Sequence, residues 1–164
     1  MKLRGILIVI PVLVLISAIA AGAQTFWSAD RTKTSLSVFA AIDSRSNESG
    51  YGASVTIHGP KTIDISYADF GPFQLAQIGQ LAPKPMGMLS TNLGFVIGYA
   101  ERDEGTTMPE GMLSGLELML ARQEISAGMA LDVKVTSLSK DFDPIAWLSS
   151  PDVLWLAAGV SYAF

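Results

Sequence analysis

A single histidine, His58, is the first place to look for acid–base or nucleophilic chemistry in this 164-residue chain. An imidazole serves as general base when a serine hydroxyl and a carboxylate lie within hydrogen-bond reach. Ser54, Asp64 and Ser66 stand on nearby alternating positions, so a triad can be imagined. Small polar residues fill the same segments throughout, and a structural or solvated histidine is the reading adopted. Four charges, Asp64, Glu117, Asp132 and Lys134, stand among apolar neighbours. A charge withdrawn from water must be paired or hydrated. These four form either a selectivity or gating network or a polar filling of an interior, and the second is preferred. Asp132 and Lys134 lie two apart on one strand face, close enough to pair. Cysteine is absent, which removes thiolate metal sites, a cysteine nucleophile, disulfides and a lipidated N-terminal cysteine. There is no Gly-rich phosphate loop, zinc spacing, nucleophile elbow or basic–aromatic patch. No cofactor, metal or enzymatic activity is expected.

The elements that would position such residues begin after an export segment. Lys2 and Arg4 precede an apolar run from Ile6 to Ala20, and Ala21-Gly22-Ala23 offers small residues for cleavage. That order is a signal peptide over residues 1–23, cut before Gln24; an uncleaved helical anchor is the competing reading. Removing Lys2 and Arg4 takes two of 11 basic residues, leaving nine against 15 acidic, a net of −6. That balance disfavours nucleic acid as a partner.

From Gln24 onward the pattern has period two, the spacing of a strand with two different faces. Leu36, Val38, Ala40 and Ile42 alternate with Ser35, Ser37, Phe39 and Ala41. Tyr51 to Ile57, Ile63 to Tyr67, Leu93 to Tyr99, Leu116 to Leu120 and Leu154 to Phe164 repeat the pattern. Ile125 to Ser137 alternates without a break, with Asp132 and Lys134 on its polar face. Gly52, Gly94, Gly98, Gly115, Gly128 and Gly159 all fall opposite the apolar face. Small side chains there suit a narrow lumen. A secreted β-sandwich or lipocalin-like barrel would turn the apolar face inward and leave those glycines exposed without reason.

The chain ends Gly159-Val160-Ser161-Tyr162-Ala163-Phe164. Gly159, Tyr162 and Phe164 resemble the terminal assembly signal of bacterial outer-membrane barrels, although Ala157 replaces the usual polar residue before the glycine. Residues 24–164 thus resemble the small eight-stranded class that includes the OmpA-type barrel and OmpX. The resemblance implies an all-β, closed antiparallel transmembrane barrel in the bacterial outer membrane. Its implied partners are outer-membrane lipid and the barrel assembly machinery, with a monomer expected.

Seven strands are clear and such barrels have an even number. Phe73 to Leu81 supplies the eighth, with a short helix as competitor. The turns at the terminal end then fall at Gly59 to Lys61, Ala82 to Gly87, and Arg122-Gln123. The opposite loops span 43–50, 69–72, 101–110 and 138–151. The turn at Arg122-Gln123 would put Glu117 opposite Gly128, about 20 Å of strand from Lys134. Tyr51, Tyr67 and Tyr99 fall near one rim, and Tyr162 and Phe164 near the other, as aromatic girdles require. Glu101 to Glu104 is a solvated acidic run, with cation bridging to lipopolysaccharide as the sharper alternative. Phe142, Ile145, Trp147 and Leu148 are apolar residues in a loop; they either lid the mouth or form a contact patch, and the lid is preferred. The bulky inward residues available to plug the lumen are Phe39, Ile78, Met119 and Trp155. The function expected is a non-enzymatic structural or surface-interaction role through the outer loops, toward an extracellular ligand that the sequence does not name. The alternatives are a narrow pore, cation-preferring from its carboxylates, and a lipid-modifying enzyme.

Overall fold

Residues that alternate apolar and small or polar can line two environments at once only if the sheet curls and closes. The computed structural model describes residues 33–59, 61–86, 89–126 and 128–164; the expected signal peptide and its cleavage site lie outside them. Eight antiparallel strands close into a barrel in chain order. They are β1 (Lys33–Asp43), β2 (Glu48–His58), β3 (Thr62–Asp69), β4 (Phe73–Met86), β5 (Leu89–Arg102), β6 (Gly111–Ser126), β7 (Met129–Ser139) and β8 (Val153–Ala163). One short helix, α1 (Pro144–Ser149), precedes β8. Closure comes from β1 and β8, with Val38 opposite Val160 and Ser35 opposite Ala163. No sheet edge is left bare along that seam.

The segment Phe73 to Leu81 is a strand, and it continues five residues further than expected. The expected turn at Ala82 to Gly87 is therefore largely strand, since Pro83 pairs with Asn92 and Pro85 with Ser90. Both prolines lie beyond the last β3 pair, Thr62 with Leu81. Among the described residues β3 offers no partner there, and proline is tolerated at such an edge.

The unbroken alternation from Ile125 conceals a hairpin. Strand β6 runs through Arg122 and Gln123, which pair with Asp132 and Leu131, and the turn comes after Ser126. Gly128 stands in that turn with φ of 80°, a left-handed conformation that glycine adopts freely; it does not line the lumen. Register shifts between Met119 and Ala121 and between Glu124 and Ser126 each add a residue to β6. These bulges reset the alternation, so the pattern reads straight through the turn. Glu117 consequently faces Thr136, not Gly128, two residues from Lys134. The separation expected from the sequence is overturned.

The outer wall carries Leu36, Val38, Ile42, Leu93, Ile97, Leu131 and Leu156, all exposed. Tyr51 and Tyr99 are exposed near the loop end, Tyr162 and Phe164 at the end carrying the chain termini. Inside, Phe39 lies between two cross-strand glycines, Gly52 and Gly159. A Cβ on Gly52 would meet the Phe39 ring at 2.5 Å, and one on Gly159 would meet Phe39 Cβ at 2.6 Å. The two glycines make the slot in which the ring lies across the lumen.

Candidate functional site

The interior has two storeys. Toward the loop end, Phe39, Phe70, Phe73, Leu75, Leu113, Leu138, Val153 and Trp155 pack into one buried cluster. Phe70 stacks on Phe73 with centroids 4.6 Å apart and meets Trp155 edge-on at 6.0 Å. Leu75 and Trp155 are each 1% exposed, and Leu138 and Val153 0%. Side chains fill this level of the interior. Of the bulky residues expected in the lumen, Phe39, Met119 and Trp155 are buried, whereas the Ile78 side chain is exposed on the outer wall. Sequence reasoning missed Phe73 and Leu75 because β4 alternates weakly and carries its larger apolar residues inward.

Phe70 closes the mouth. The segment Phe70-Gly71-Pro72-Phe73 is a tight turn, with Phe70 N donating to Phe73 O at 3.0 Å. Asp69 Oδ1 accepts from Gly71 N at 2.8 Å, and Gly71 has φ of 85°. A glycine at that point lets both phenylalanines turn into the barrel. Beside them, buried Asp43 accepts from Ser46 N (3.0 Å), Ser46 Oγ (2.6 Å) and Leu154 N (3.0 Å), locking the first loop onto β8. Asp43 looked like a loop residue in the sequence; the Asp-x-x-Ser spacing of an Asx-type turn was the available signal.

Below the apolar storey lie the charges. Lys134 Nζ on β7 reaches across to Asp64 Oδ2 on β3 at 2.9 Å, and to Ser54 Oγ at 3.3 Å. Thr56 Oγ1 donates to Asp64 Oδ1 at 2.6 Å. The ammonium also stands 5.0 Å from the Phe39 ring centroid and 5.9 Å from that of Trp155, a favourable placement for a desolvated cation. Glu117 Oε2 accepts from Gln77 Nε2 at 2.5 Å and from Thr136 Oγ1 at 3.1 Å. The expected pairing of Lys134 with Asp132 is not the one found. Side chains two apart on one strand point in parallel, whereas a partner across a narrow lumen points back. Asp132, half-buried, instead accepts from Ser37 at 3.3 Å. A cavity of about 10 Å³ lies between Ser37, Phe39, Ser54, Asp132 and Lys134, room for one water at most.

His58 has Ser35 Oγ 2.9 Å from its Nε2. Of the imagined partners, Asp64 is engaged with Thr56 and Lys134 and Ser54 with Lys134, while Ser66 Oγ is buried without a hydrogen-bond partner. Ser35 is 1% exposed, so no substrate carbonyl can approach that hydroxyl. Among the described residues, no three His, Asp or Glu side chains gather as a metal set.

The last loop does not cover the mouth. Phe142 and Trp147 pack on Phe95, an outward residue of β5, with centroids 5.5 Å away in both cases. Phe142 and Trp147 meet each other edge-on at 5.7 Å. The Ser137 hydroxyl donates to Trp147 O, and Ser137 pairs with outward Leu116. Helix α1 thus hangs on the outside of the wall over β6 and β7. The preferred lid reading of Phe142, Ile145, Trp147 and Leu148 is corrected: Trp147 is buried against the wall, and the other three are exposed. The third loop folds around Arg102, which pairs with Glu110 at 3.0 Å and donates to Thr106 O and Met108 O. Glu101, Asp103 and Glu104 stay exposed.

With this geometry in hand, the fold can be placed among known proteins. A solved structure from the de novo design of transmembrane β-barrels superposes with a TM-score of 0.51 at 12% identity, over 80% of this chain and 95% of that one. The crystal structure of Neisserial surface protein A aligns at a TM-score of 0.43 and 15% identity, over 81% of this chain and 96% of that one. The likeness to the designed barrel concerns the fold, a closed antiparallel barrel, which has eight strands in this chain. No family model matches the sequence, and no curated protein does.

Proposed function

We propose that the protein is a bacterial outer-membrane barrel with a sealed lumen, whose role is structural and surface-directed and involves neither conduction nor catalysis. The observation that carries this is the pair of stacked seals, the Phe70–Phe73–Trp155 cap above the Lys134–Asp64 bridge. An eight-stranded barrel has room for its own side chains and little else. An apolar outer wall with tyrosines near one rim and Tyr162 and Phe164 near the other supports a lipid surround. Only a closed barrel satisfies its backbone there.

In this reading the termini face the periplasm and the loop end faces outward. Gly159, Tyr162 and Phe164 are the residues the assembly machinery would read. The outward contact surface is acidic, formed by Glu101, Asp103 and Glu104 around the Arg102-centred loop, and it is the face open to an extracellular ligand. The chain works as a monomer.

The test uses the absence of native cysteine. E104C should react with a membrane-impermeant maleimide in intact cells, and S126C, at the opposite end, only after the outer membrane is permeabilised. The reverse pattern, or recovery of the protein in a soluble periplasmic fraction, would overturn the proposal.

A further inference from the structure

Helix α1 and its flanks place apolar side chains where a soluble loop would not keep them. Phe142 is 74%, Ile145 73% and Leu148 77% exposed, although the segment carrying them is firmly built. Asp143 caps the helix through Ile145 N at 2.9 Å, Trp147 Nε1 donates to Asp141 O at 3.2 Å, and Ser149 Oγ donates to Ile145 O at 2.7 Å. Asp152 Oδ2 accepts from Lys140 N at 2.8 Å and from Ser139 Oγ at 3.2 Å, closing the base of the loop. These bonds fix the segment's shape, and its exposed surface carries Asp141, Asp143 and Ser149 beside the three apolar side chains. Ile145 and Leu148 stand three apart, on one side of the helix.

The position on the wall decides what that face meets. Phe95, the anchor for Phe142 and Trp147, lies four residues inward of Tyr99 along β5, roughly 13 Å of strand. It shares the outward face with Leu93, Ile97 and Tyr99, and pairs with Leu116. Ser114 and Ser139, paired on the same outward side, are buried at the base of the segment. Ser139 Oγ is bonded to Asp152, while Ser114 Oγ is buried without a hydrogen-bond partner. Phe142 and Trp147 thus attach the segment to the barrel's apolar band at Phe95, and Ile145 and Leu148 stay exposed beside it.

We infer that Phe142, Ile145 and Leu148 make this wall-mounted segment a wedge whose apolar side chains reach into the acyl chains of the outer leaflet. This deepens the lipid-embedded reading above and rests on it. A short helix with an apolar outer face lies in the interfacial zone in just this manner, its apolar side reaching into the acyl boundary. The wedge widens the barrel's footprint on one side, over β5 to β7, and sets the lipid packing there. The surface-contact role then belongs to the acidic third loop and not to Phe142, Ile145 and Leu148.

Nitroxide labels at I145C and L148C test the inference in the full mature chain, folded into dioleoylphosphatidylcholine vesicles and checked for native gel mobility. V38C on the apolar wall and E104C on the acidic loop provide the two reference environments. The oxygen-to-nickel-complex accessibility ratio at 145 and 148 should match that at 38 and exceed that at 104 several-fold. A ratio equal to that at 104 would place the segment in water and overturn the wedge. Spin–spin broadening between molecules labelled at 145, lost on dilution with unlabelled protein, would make a second copy the occupant and overturn it equally. Should V38C itself report water, the underlying lipid reading has failed, a result distinct from the failure of the wedge alone.

Discussion

Changing Lys134 to Met breaks the bridge across the lumen while keeping most of the side-chain volume. The ammonium now has Asp64 at 2.9 Å, Ser54 at 3.3 Å and two aromatic rings within 6 Å. Removing it leaves Asp64 buried with Thr56 and the neighbouring Glu117 carboxyl, and both acids lose the positive charge beside them. Orphaning one member of a buried ion pair costs about 3–5 kcal/mol. The low end applies here, because Thr56 still donates and the adjoining cavity can admit one water. Asp64→Asn alone should be destabilising for the mirror-image reason, leaving Lys134 without its main counter-charge. The double variant D64N/K134M removes both charges and should recover to within about 1 kcal/mol of the parent, since a neutral replacement of a buried pair is often tolerated. Urea unfolding in detergent micelles or vesicles, followed by tryptophan fluorescence, gives all four stabilities. The reasoning is refuted if K134M lies within about 0.5 kcal/mol of the parent, or if the double variant equals the sum of the singles and so shows no coupling.

Three further outcomes follow from other parts of the molecule. Mass spectrometry of the membrane-extracted protein should show a chain starting at Gln24; recovery of the Met1 form would favour a helical anchor. Replacing Tyr162 and Phe164 by Ala removes two exposed aromatics at the terminal end, and should lower outer-membrane yield and raise periplasmic degradation; normal yield and gel mobility would count against the assembly signal. Gly52→Val puts a branched side chain against the Phe39 ring and the Tyr67 backbone, so a loss of about 1–3 kcal/mol is expected from overpacking, with an unchanged unfolding midpoint as the contrary result.

The fold was legible because a two-environment wall writes itself into every strand as period-two alternation. Leu36 to Ile42 against Ser35 to Ala41 was enough to orient β1, and the inward glycines identified the narrow side. What escaped notice was local and depended on registers. Two bulges in β6 and a hairpin at Gly128 left a continuous pattern that no composition rule could divide, and the position of Glu117 followed from that division. Pro83 and Pro85 read as a turn, since only the shortness of β3 makes an extended strand tolerable there. The four lumen charges could be named from their setting, but the choice of Asp64 as the partner of Lys134 is made by closure, which brings β3 and β7 across from each other. The apolar loop residues were conspicuous in sequence. Their side of the wall was not, because it depends on Phe95, some fifty residues away in the chain.

The central claim is that the lumen is sealed, and conductance tests it most directly. The mature chain, inserted in planar bilayers with insertion verified by protease protection of the barrel, should give no steady single-channel steps. Packed side chains fill the apolar storey, and the bridge below it holds Lys134 and Asp64 together across the bore. Reproducible cation-selective steps, weakened in selectivity by D132N and E117Q while the barrel stays folded, would show an open path past both storeys and contradict the account.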